Sequence, residues 1–214
     1  MFEVHRWRFV SGFQSHYKLE HNRGSVMADI ERDREYCFSV LNEYTKSGSL
    51  INHALAVEAC VHAYAVKFGE DTNYWGNVAL LHDFDYEMYP TEDGHPFKGN
   101  EILKEKGFGE PFRNAIMSHA YYTGVKRNSK LERVLFACDE LAGFITAVTY
   151  VRPSKSIDEV EVKSVLKKMK DKAFARTVNR GDIVRGAQEL EISLDEHIKF
   201  CIDAMKKRKE ELGL

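Results

Sequence analysis

The sequence has few of the residues that stabilise secreted or β-rich proteins. It contains four cysteines and four prolines in 214 residues, and no two cysteines form a CxxC pair. Each cysteine lies in an apolar helical stretch, where free cysteine behaves as a small hydrophobic residue. No secretory signal is visible, because the N-terminus lacks an uninterrupted apolar core and a small-residue cleavage site. We therefore expect reduced core cysteines in a cytoplasmic protein.

Long apolar runs and a strong net charge are also missing. The longest apolar runs fall far short of the roughly 20 residues that span a bilayer, and the formal net charge is only -2. We therefore expect no membrane partner and no specific binding to nucleic acid. The length, with 43% hydrophobic and 30% charged residues, is typical of one globular domain with a sizeable core.

Residues 1–26 differ from the rest of the chain. They are aromatic and basic, they show neither helical nor strand periodicity, and they end close to Met27, a plausible start. We interpret them as an N-terminal extension that is either not native or poorly ordered, and we exclude their histidines from any site. The expected domain is 27–214, with metal motifs in 53–139 and C-terminal helices in 157–212.

From about Asp29 the apolar pattern is helical, and alternating β-branched runs are few. The predicted fold class is therefore all-α, a single-domain helical bundle. Ser49 is the expected N-cap of the first long helix, and Gly69 its stop. The pattern predicts helices over 49–68, 73–83, 96–106, 111–119, 130–150, 158–174 and 193–212.

Histidines and inward acids recur on separate predicted helices, in the order His53, His82-Asp83, His95, His119 and Asp139. Asp139 lies on an apolar stripe with no Lys or Arg three or four residues away to neutralise it, which is costly for a buried carboxylate. A divalent ion accepts imidazole and carboxylate ligands together, and helix bundles commonly build such sites. His82 and Asp83 can reach one ion where their helix unwinds. The sequence therefore predicts a metal site completed by His53 and Asp139.

This ordered set resembles the H…HD…D signature of the HD superfamily of metal-dependent phosphohydrolases, over roughly residues 30–150. His95 in HPFKGNEIL and His119 in IMSHAYYTG resemble the extra motifs of HD members that hold two metals, and LERVLFACDELAG resembles their last metal motif. Several two-metal members carry two consecutive histidines in the fourth motif, whereas Ala120 follows His119 here. The resemblance implies an HD-type bundle with metal ligands His53, His82, Asp83, His95, His119 and Asp139.

The resemblance also implies a cofactor and a reaction. The cofactor would be two divalent transition-metal ions (Fe, Mn, Co, Ni or Zn, with Mg as an alternative), with Asp83 as the catalytic bridge. Metal-activated water would then cleave phosphate ester or anhydride bonds of a nucleotide or another small phosphorylated metabolite. Asp85 and Glu87 follow in a loop that could set a general acid for the leaving group. The alternative is that both are exposed loop acids.

Substrate contacts are expected from residues near these motifs. Lys98 lies three residues after His95 on the same helical face, Lys155 follows Pro153 in a loop, and Tyr122 could stack on a nucleobase. The alternatives are that Lys98 is a solvated surface lysine and that Tyr122 packs in the core or at its rim. Between 152 and 180, nine basic residues minus four acidic ones leave five positive charges. This segment is either the rim of a phosphate pocket or the solvated face of a helix.

Two other functions stay open at this point. Some HD proteins use a di-iron pair as an oxygenase, and the domain could instead be a non-enzymatic nucleotide-binding sensor with a structural metal. The expected partner is a small phosphorylated substrate, and a homodimer remains an open alternative to a monomer. Phosphate release, oxygen consumption, or ligand binding without turnover would distinguish the three.

Overall fold

The computed structural model describes residues 30–214, so the predicted extension at 1–26 lies outside the described residues. Within 30–214 the chain is all-α and contains no strand, which confirms the predicted fold class of a single-domain bundle. After a helical turn at 30–32, the α-helices are α1 (Arg34–Tyr44), α2 (Gly48–Phe68), α3 (Thr72–Leu80), α4 (Phe97–Glu105), α5 (Glu110–Met117), α6 (Lys130–Tyr150), α7 (Val162–Met169), α8 (Arg180–Glu189), α9 (Leu194–Lys207) and α10 (Lys209–Leu212).

Helices α2 and α6 form the centre of the bundle. Each is 21 residues long, and they pack against each other, with α3 and α9 against α2 and α8 against α6. Gly69 ends α2 in the left-handed conformation at a φ of 69°, which costs glycine little because it has no Cβ. Ser129 begins α6 with a capping box to Glu132. Both helix ends follow signals that are visible in the sequence.

A buried ion pair joins the two ends of the described chain. Glu58 on α2 is only 2% exposed, and it accepts hydrogen bonds from Arg34 on α1 at 2.6 and 3.0 Å and from Arg208 after α9 at 3.0 Å. A buried carboxylate needs such partners because desolvation of its charge is expensive. This contact fixes α1 and the C-terminal helices on α2, on which His53 also lies.

Several helix boundaries differ from the sequence prediction. Helix α2 begins after Ser47 rather than Ser49, because the Glu87 carboxylate accepts hydrogen bonds from the backbone N–H groups of Lys46 and Ser47. Helix α3 ends at Leu80, and residues 81–88 continue as successive turns. Helix α5 likewise ends at Met117, two residues before the predicted end.

The sequence prediction missed α8. Its stretch RGDIVRGAQE is poor in apolar residues and contains two glycines. A Cβ at Gly186 would lie 2.5 Å from the Cα of Ala137, so Gly186 lets α8 approach α6 closely. The predicted helix 158–174 is also shorter: α7 covers only Val162–Met169 and is followed by turns.

The cysteines and the last histidine lie inside the bundle. All four cysteines, Cys37, Cys60, Cys138 and Cys201, are free and buried, as predicted. His197 is fully buried and has a packing role: its Nε2 donates to the Ala137 carbonyl at 2.8 Å, and its Nδ1 accepts from the Tyr64 hydroxyl at 2.8 Å. Among the described residues, no helix combines the length and apolar character needed to cross a membrane.

Candidate metal centre

Three segments bring four potential ligands to one point. His53 comes from the first turns of α2, His82 and Asp83 from the turns after α3, and Asp139 from the middle of α6. Their ligand atoms all lie within 4.8 Å of one another. The His53 Nε2 atom is 3.0 Å from Asp139 Oδ1 and 3.7 Å from Asp83 Oδ2. The His82 Nε2 atom is 3.3 and 3.5 Å from the same two oxygens.

A second group lies on the other side of Asp83. His95, just before α4, and His119, just after α5, both point their Nε2 atoms at Asp83 Oδ1, at 3.2 and 3.3 Å. These two Nε2 atoms are 3.2 Å apart. Asp83 thus directs one carboxylate oxygen to each group. The two groups share this single residue, as a carboxylate bridge between two ions requires.

The spacing of the atoms fits metal coordination. Nitrogen and oxygen ligands lie about 2.0–2.2 Å from a divalent transition metal, which places tetrahedral ligand atoms about 3.4 Å from each other and octahedral neighbours about 3.0 Å. The nitrogen–oxygen separations run from 3.0 to 3.7 Å in the first group and from 3.2 to 3.3 Å in the second. These separations are compatible with one ion in each group.

Hydrogen bonds on the far side of the rings fix the tautomers. The Nδ1 atom of His82 donates to the Ala79 carbonyl at 2.7 Å, and that of His119 donates to the Ile116 carbonyl at 2.6 Å. Because carbonyl oxygens only accept, each Nδ1 carries a proton, which leaves Nε2 as the nitrogen available to a metal ion. The buried His82 Nε2 makes no hydrogen bond of good geometry, although two carboxylate oxygens lie 3.3 and 3.5 Å away. A bound cation would give this atom a direct partner.

His95 is oriented by a carboxylate instead of a carbonyl. Its Nδ1 donates to Asp85 Oδ1 at 2.7 Å, and the second oxygen of Asp85 accepts from the backbone N–H of Gly99 at 2.7 Å. Asp85 is completely buried. A Cβ at Gly99 would lie only 2.7 Å from the Asp85 carboxyl carbon, so only glycine permits this approach. Such a supporting carboxylate fixes the ring and raises the basicity of the ligating nitrogen.

The charges of the centre are strongly coupled. Burial alone would lower the pKa values of His82 and His95. The negative charges of Asp83 and Asp139 beside His82, and of Asp83 and Asp85 beside His95, outweigh this effect and raise each pKa to about 9. Burial likewise raises the pKa values of Asp83 and Asp139, yet the adjacent histidines hold both well below the usual range. Without a cation, protons on the imidazoles neutralise these carboxylates.

One edge of the cluster is open to solvent. The side chains of His53, Asp83 and Asp139 are about 20% exposed, whereas those of His95 and His119 are 5% exposed and that of His82 is fully buried. Water can therefore reach the cluster from the side of His53, Asp83 and Asp139. The more buried histidines form the floor of the centre.

Tyr122, the predicted substrate contact, lies against the His95 backbone, and its hydroxyl is engaged. It donates to the His95 carbonyl at 3.0 Å, and burial together with the negative charge of Asp83 raises its pKa to about 12. Tyr86 packs edge-on against the His95 ring at 5.4 Å, while Tyr121 is 64% exposed beside Tyr122. Of these three tyrosines, only Tyr122 was predicted as a substrate contact.

Two predicted catalytic acids occupy other positions. Asp85 is not a loop acid facing a leaving group, because both of its oxygens bind His95 and Gly99 inside the protein. Glu87 is exposed, and one of its oxygens accepts from the backbone N–H groups that precede α2. The geometry gives Asp85 a positioning role and Glu87 a capping role, so a general-acid role for either is not supported.

The predicted lysines do not contact the centre. Lys98 is exposed on α4 and pairs with Glu101 at 2.9 Å, so it is on the solvent side of the helix rather than at the ligands. Lys155 is exposed in a left-handed turn at a φ of 51°. His62 is exposed, and its separation of nine residues from His53 places it on the opposite side of α2.

Glu140, which the sequence prediction did not name, lies next to Asp139 on α6. Burial of its carboxylate and the charge of Asp139 raise its pKa to about 7, and a nearby backbone N–H from Asn179 opposes the rise. The side chain therefore connects the metal centre to the segment that precedes α8. The only sequence signal for it was its position beside a predicted ligand.

Comparisons of the chain with family models, curated proteins and solved structures found no match. The structure contains a His/Asp cluster that could bind metal.

Proposed function

We propose that this protein is a metal-dependent phosphohydrolase of the HD type, which cleaves a phosphate ester or anhydride bond in a nucleotide or another small phosphorylated metabolite. The observation that carries the proposal is the sharing of Asp83, with Oδ2 facing His53 and His82 and Oδ1 facing His95 and His119. Paired sites bridged by one carboxylate are a common arrangement in phosphate-cleaving enzymes with two metals.

The residues divide into two ligand sets. His53, His82 and Asp139 would hold the first ion, and His95 and His119 the second, with Asp83 between them. Four imidazoles among six ligand residues favour Fe, Mn, Co, Ni or Zn over Mg, which prefers oxygen ligands. The Asp85 carboxylate and two backbone carbonyls keep three of the imidazoles in the ligating tautomer.

The charge balance favours an anionic substrate. Two divalent ions would bring four positive charges against the three carboxylates of Asp83, Asp139 and Asp85, which leaves a net charge of about +1 in a largely buried site. When bound, such ions lower the pKa of coordinated water toward neutrality and stabilise negative charge on phosphoryl oxygens. The open edge at His53 and Asp139 would admit the phosphate, and the buried floor would exclude bulk water from the opposite side.

The test combines metal analysis with a substrate screen. Protein purified without chelators is analysed for metal content and then assayed for phosphate release from nucleotides and sugar phosphates with Mn, Fe, Co, Ni, Zn and Mg. His53→Ala should lose metal and activity. His62→Ala is the matched control, because it removes an exposed histidine from the same helix. Full turnover by His53→Ala would overturn the assignment.

The same assay separates the competing functions. Oxygen consumption without phosphate release would replace the proposal with a di-iron oxygenase. Tight nucleotide binding without turnover in any metal would replace it with a sensor whose metal is structural. Phosphate release that depends on added metal and is lost in His53→Ala supports the hydrolase.

A further inference from the structure

One basic segment lies beside the metal centre. Residues 170–179, which we call the Arg180 loop, connect α7 to α8 in a series of turns. The Arg180 guanidinium holds the loop from inside, because it donates to backbone carbonyls within it and stacks over the Phe144 ring at 5.2 Å. Its acceptors are the carbonyls of Asp171, Phe174, Ala175 and Val178. The loop therefore has a defined shape although none of its residues is in a regular helix.

The loop packs on α6 next to the ligand-bearing face of that helix. Asp139 belongs to the centre, and the adjacent Glu140 faces the Asn179 backbone N–H. One turn later, a Cβ at Gly143 would lie 3.5 Å from the His53 ring, and the adjacent Phe144 packs against Phe174 of the loop at 5.5 Å. At two successive turns, one residue of α6 borders the centre and its neighbour borders the loop.

Several basic residues of 152–180 already have partners within the protein. Arg152 donates to Ser164, Lys163 pairs with Glu161, and Lys168 pairs with Asp171. The Arg180 guanidinium donates to backbone carbonyls of the loop. In the described part of the chain, no carboxylate lies within 4.0 Å of a nitrogen of Lys172 or Arg176, and both side chains are exposed. These two cations, like the exposed Lys170 at the start of the loop, are free to bind an external anion.

We infer that the Arg180 loop is a substrate-binding arm, in which Lys172 and Arg176 bind a further phosphate group of a substrate whose scissile phosphate lies at the metal centre. The inference rests on the proposed function and specifies the substrate class as small molecules with more than one phosphate. It assigns the anion contacts to Lys172 and Arg176 in place of Lys98 and Lys155. An arginine and a lysine in one loop suit this task, since both donate charge-assisted hydrogen bonds to phosphate oxygens.

The test compares two nucleotides that differ only in phosphate number. Binding of AMP and ATP to the metal-loaded full chain is measured by titration calorimetry, with phosphate release and metal content followed in the same samples. The wild type should bind ATP at least about tenfold more tightly than AMP, and Lys172→Ala/Arg176→Ala should remove most of that preference while AMP affinity changes less than about twofold. Lys104→Ala/Lys207→Ala removes two exposed charges elsewhere and is the matched control.

The outcomes separate this inference from the proposed function. If the loop variant keeps its preference for ATP over AMP, or if the control variant loses that preference equally, the inference about the loop is wrong even if the protein hydrolyses phosphate esters. A preference that depends on Lys172 and Arg176 in a protein that releases no phosphate would support the arm and reject the hydrolase. Because circular dichroism and metal content are recorded for each variant, a folding defect would be recognised. In that case Lys172→Gln/Arg176→Gln, which removes both charges but keeps a flexible polar side chain, decides the question.

Discussion

The substitution Gly99→Ala tests the support of His95 without changing a ligand. Alanine in a helix interior is normally about 1 kcal/mol more favourable than glycine. Here the new Cβ would lie 2.7 Å from the Asp85 carboxyl carbon and 2.8 Å from Oδ2. Non-bonded carbons need about 3.5 Å, so the Asp85 carboxylate must retreat by roughly 0.8 Å. The expected effect is therefore opposite in sign to the helix propensity.

The retreat should affect one ion and spare the other. It lengthens the 2.7 Å hydrogen bond from His95 Nδ1 beyond the range of about 2.7–3.2 Å for N–H···O bonds, at a cost of about 1.5–3 kcal/mol for a charged acceptor. Loss of such support typically weakens metal binding by about 10- to 100-fold. We expect Gly99→Ala to keep the ion held by His53, His82 and Asp139 and to lose most of the second.

Metal stoichiometry by elemental analysis and calorimetric titration measures this directly. Gly143→Ala is the matched control, because its Cβ would meet the His53 ring at 3.5 Å, an ordinary contact. That variant should bind both ions and unfold at slightly higher denaturant concentration. If Gly99→Ala binds two ions with unchanged affinities, the positioning role of Asp85 is wrong. If it loses both ions, the two sites are not separable in the way described.

Three further predictions concern the charges of the protein. In the metal-free protein the pKa values of His82 and His95 are raised from 6.5 to about 9, so the folded state binds more protons than the unfolded state between these two pH values. Each histidine therefore contributes on the order of 3 kcal/mol to the free energy of unfolding below pH 6.5, and this contribution is lost as pH rises through 9. Urea unfolding across pH 6–9.5 should show this decline, and a flat profile would contradict it. Asp83→Asn should weaken metal binding at both sites by more than about 100-fold, whereas Asp139→Asn should weaken mainly the first site. If equilibrium dialysis showed the same loss of affinity at both sites in the two variants, the shared bridge would be wrong. Glu58→Ala removes the buried carboxylate between two arginines that both keep Glu211 as a partner. It should cost about 1.5–3 kcal/mol of unfolding free energy in urea denaturation while metal content stays unchanged; simultaneous loss of metal would link that ion pair to the site.

The parts of the fold that were predictable are those with local signals. The helical period, Gly69 after α2, and Ser129 before α6 are all encoded within a few residues of each helix end. The start of α2 was predicted at the wrong serine because its backbone groups bind Glu87, which is 40 residues away in sequence. Helix α8 was missed because its packing depends on Gly186 meeting Ala137, and a glycine lowers helix propensity when read alone.

The candidate site divides in the same way. Six residues that were chosen as ligands from residue type, order and a family resemblance lie together in the structure. The roles of their neighbours could not be assigned in advance. Asp85 and Glu87 are both acids shortly after Asp83, yet one is buried behind His95 and the other caps α2. Lys98 and Lys155 were chosen by sequence distance, which does not specify side-chain direction.

The sequence by itself determined an all-α chain and the set of histidines and aspartates, because helical periodicity and residue chemistry are local properties. Only the tertiary structure decided that Asp83 directs one oxygen to each group, that Asp85 and Gly99 support His95, and that the Arg180 loop lies beside α6. These features depend on contacts between segments that are distant along the chain, and the packing of the helices sets the distances between them.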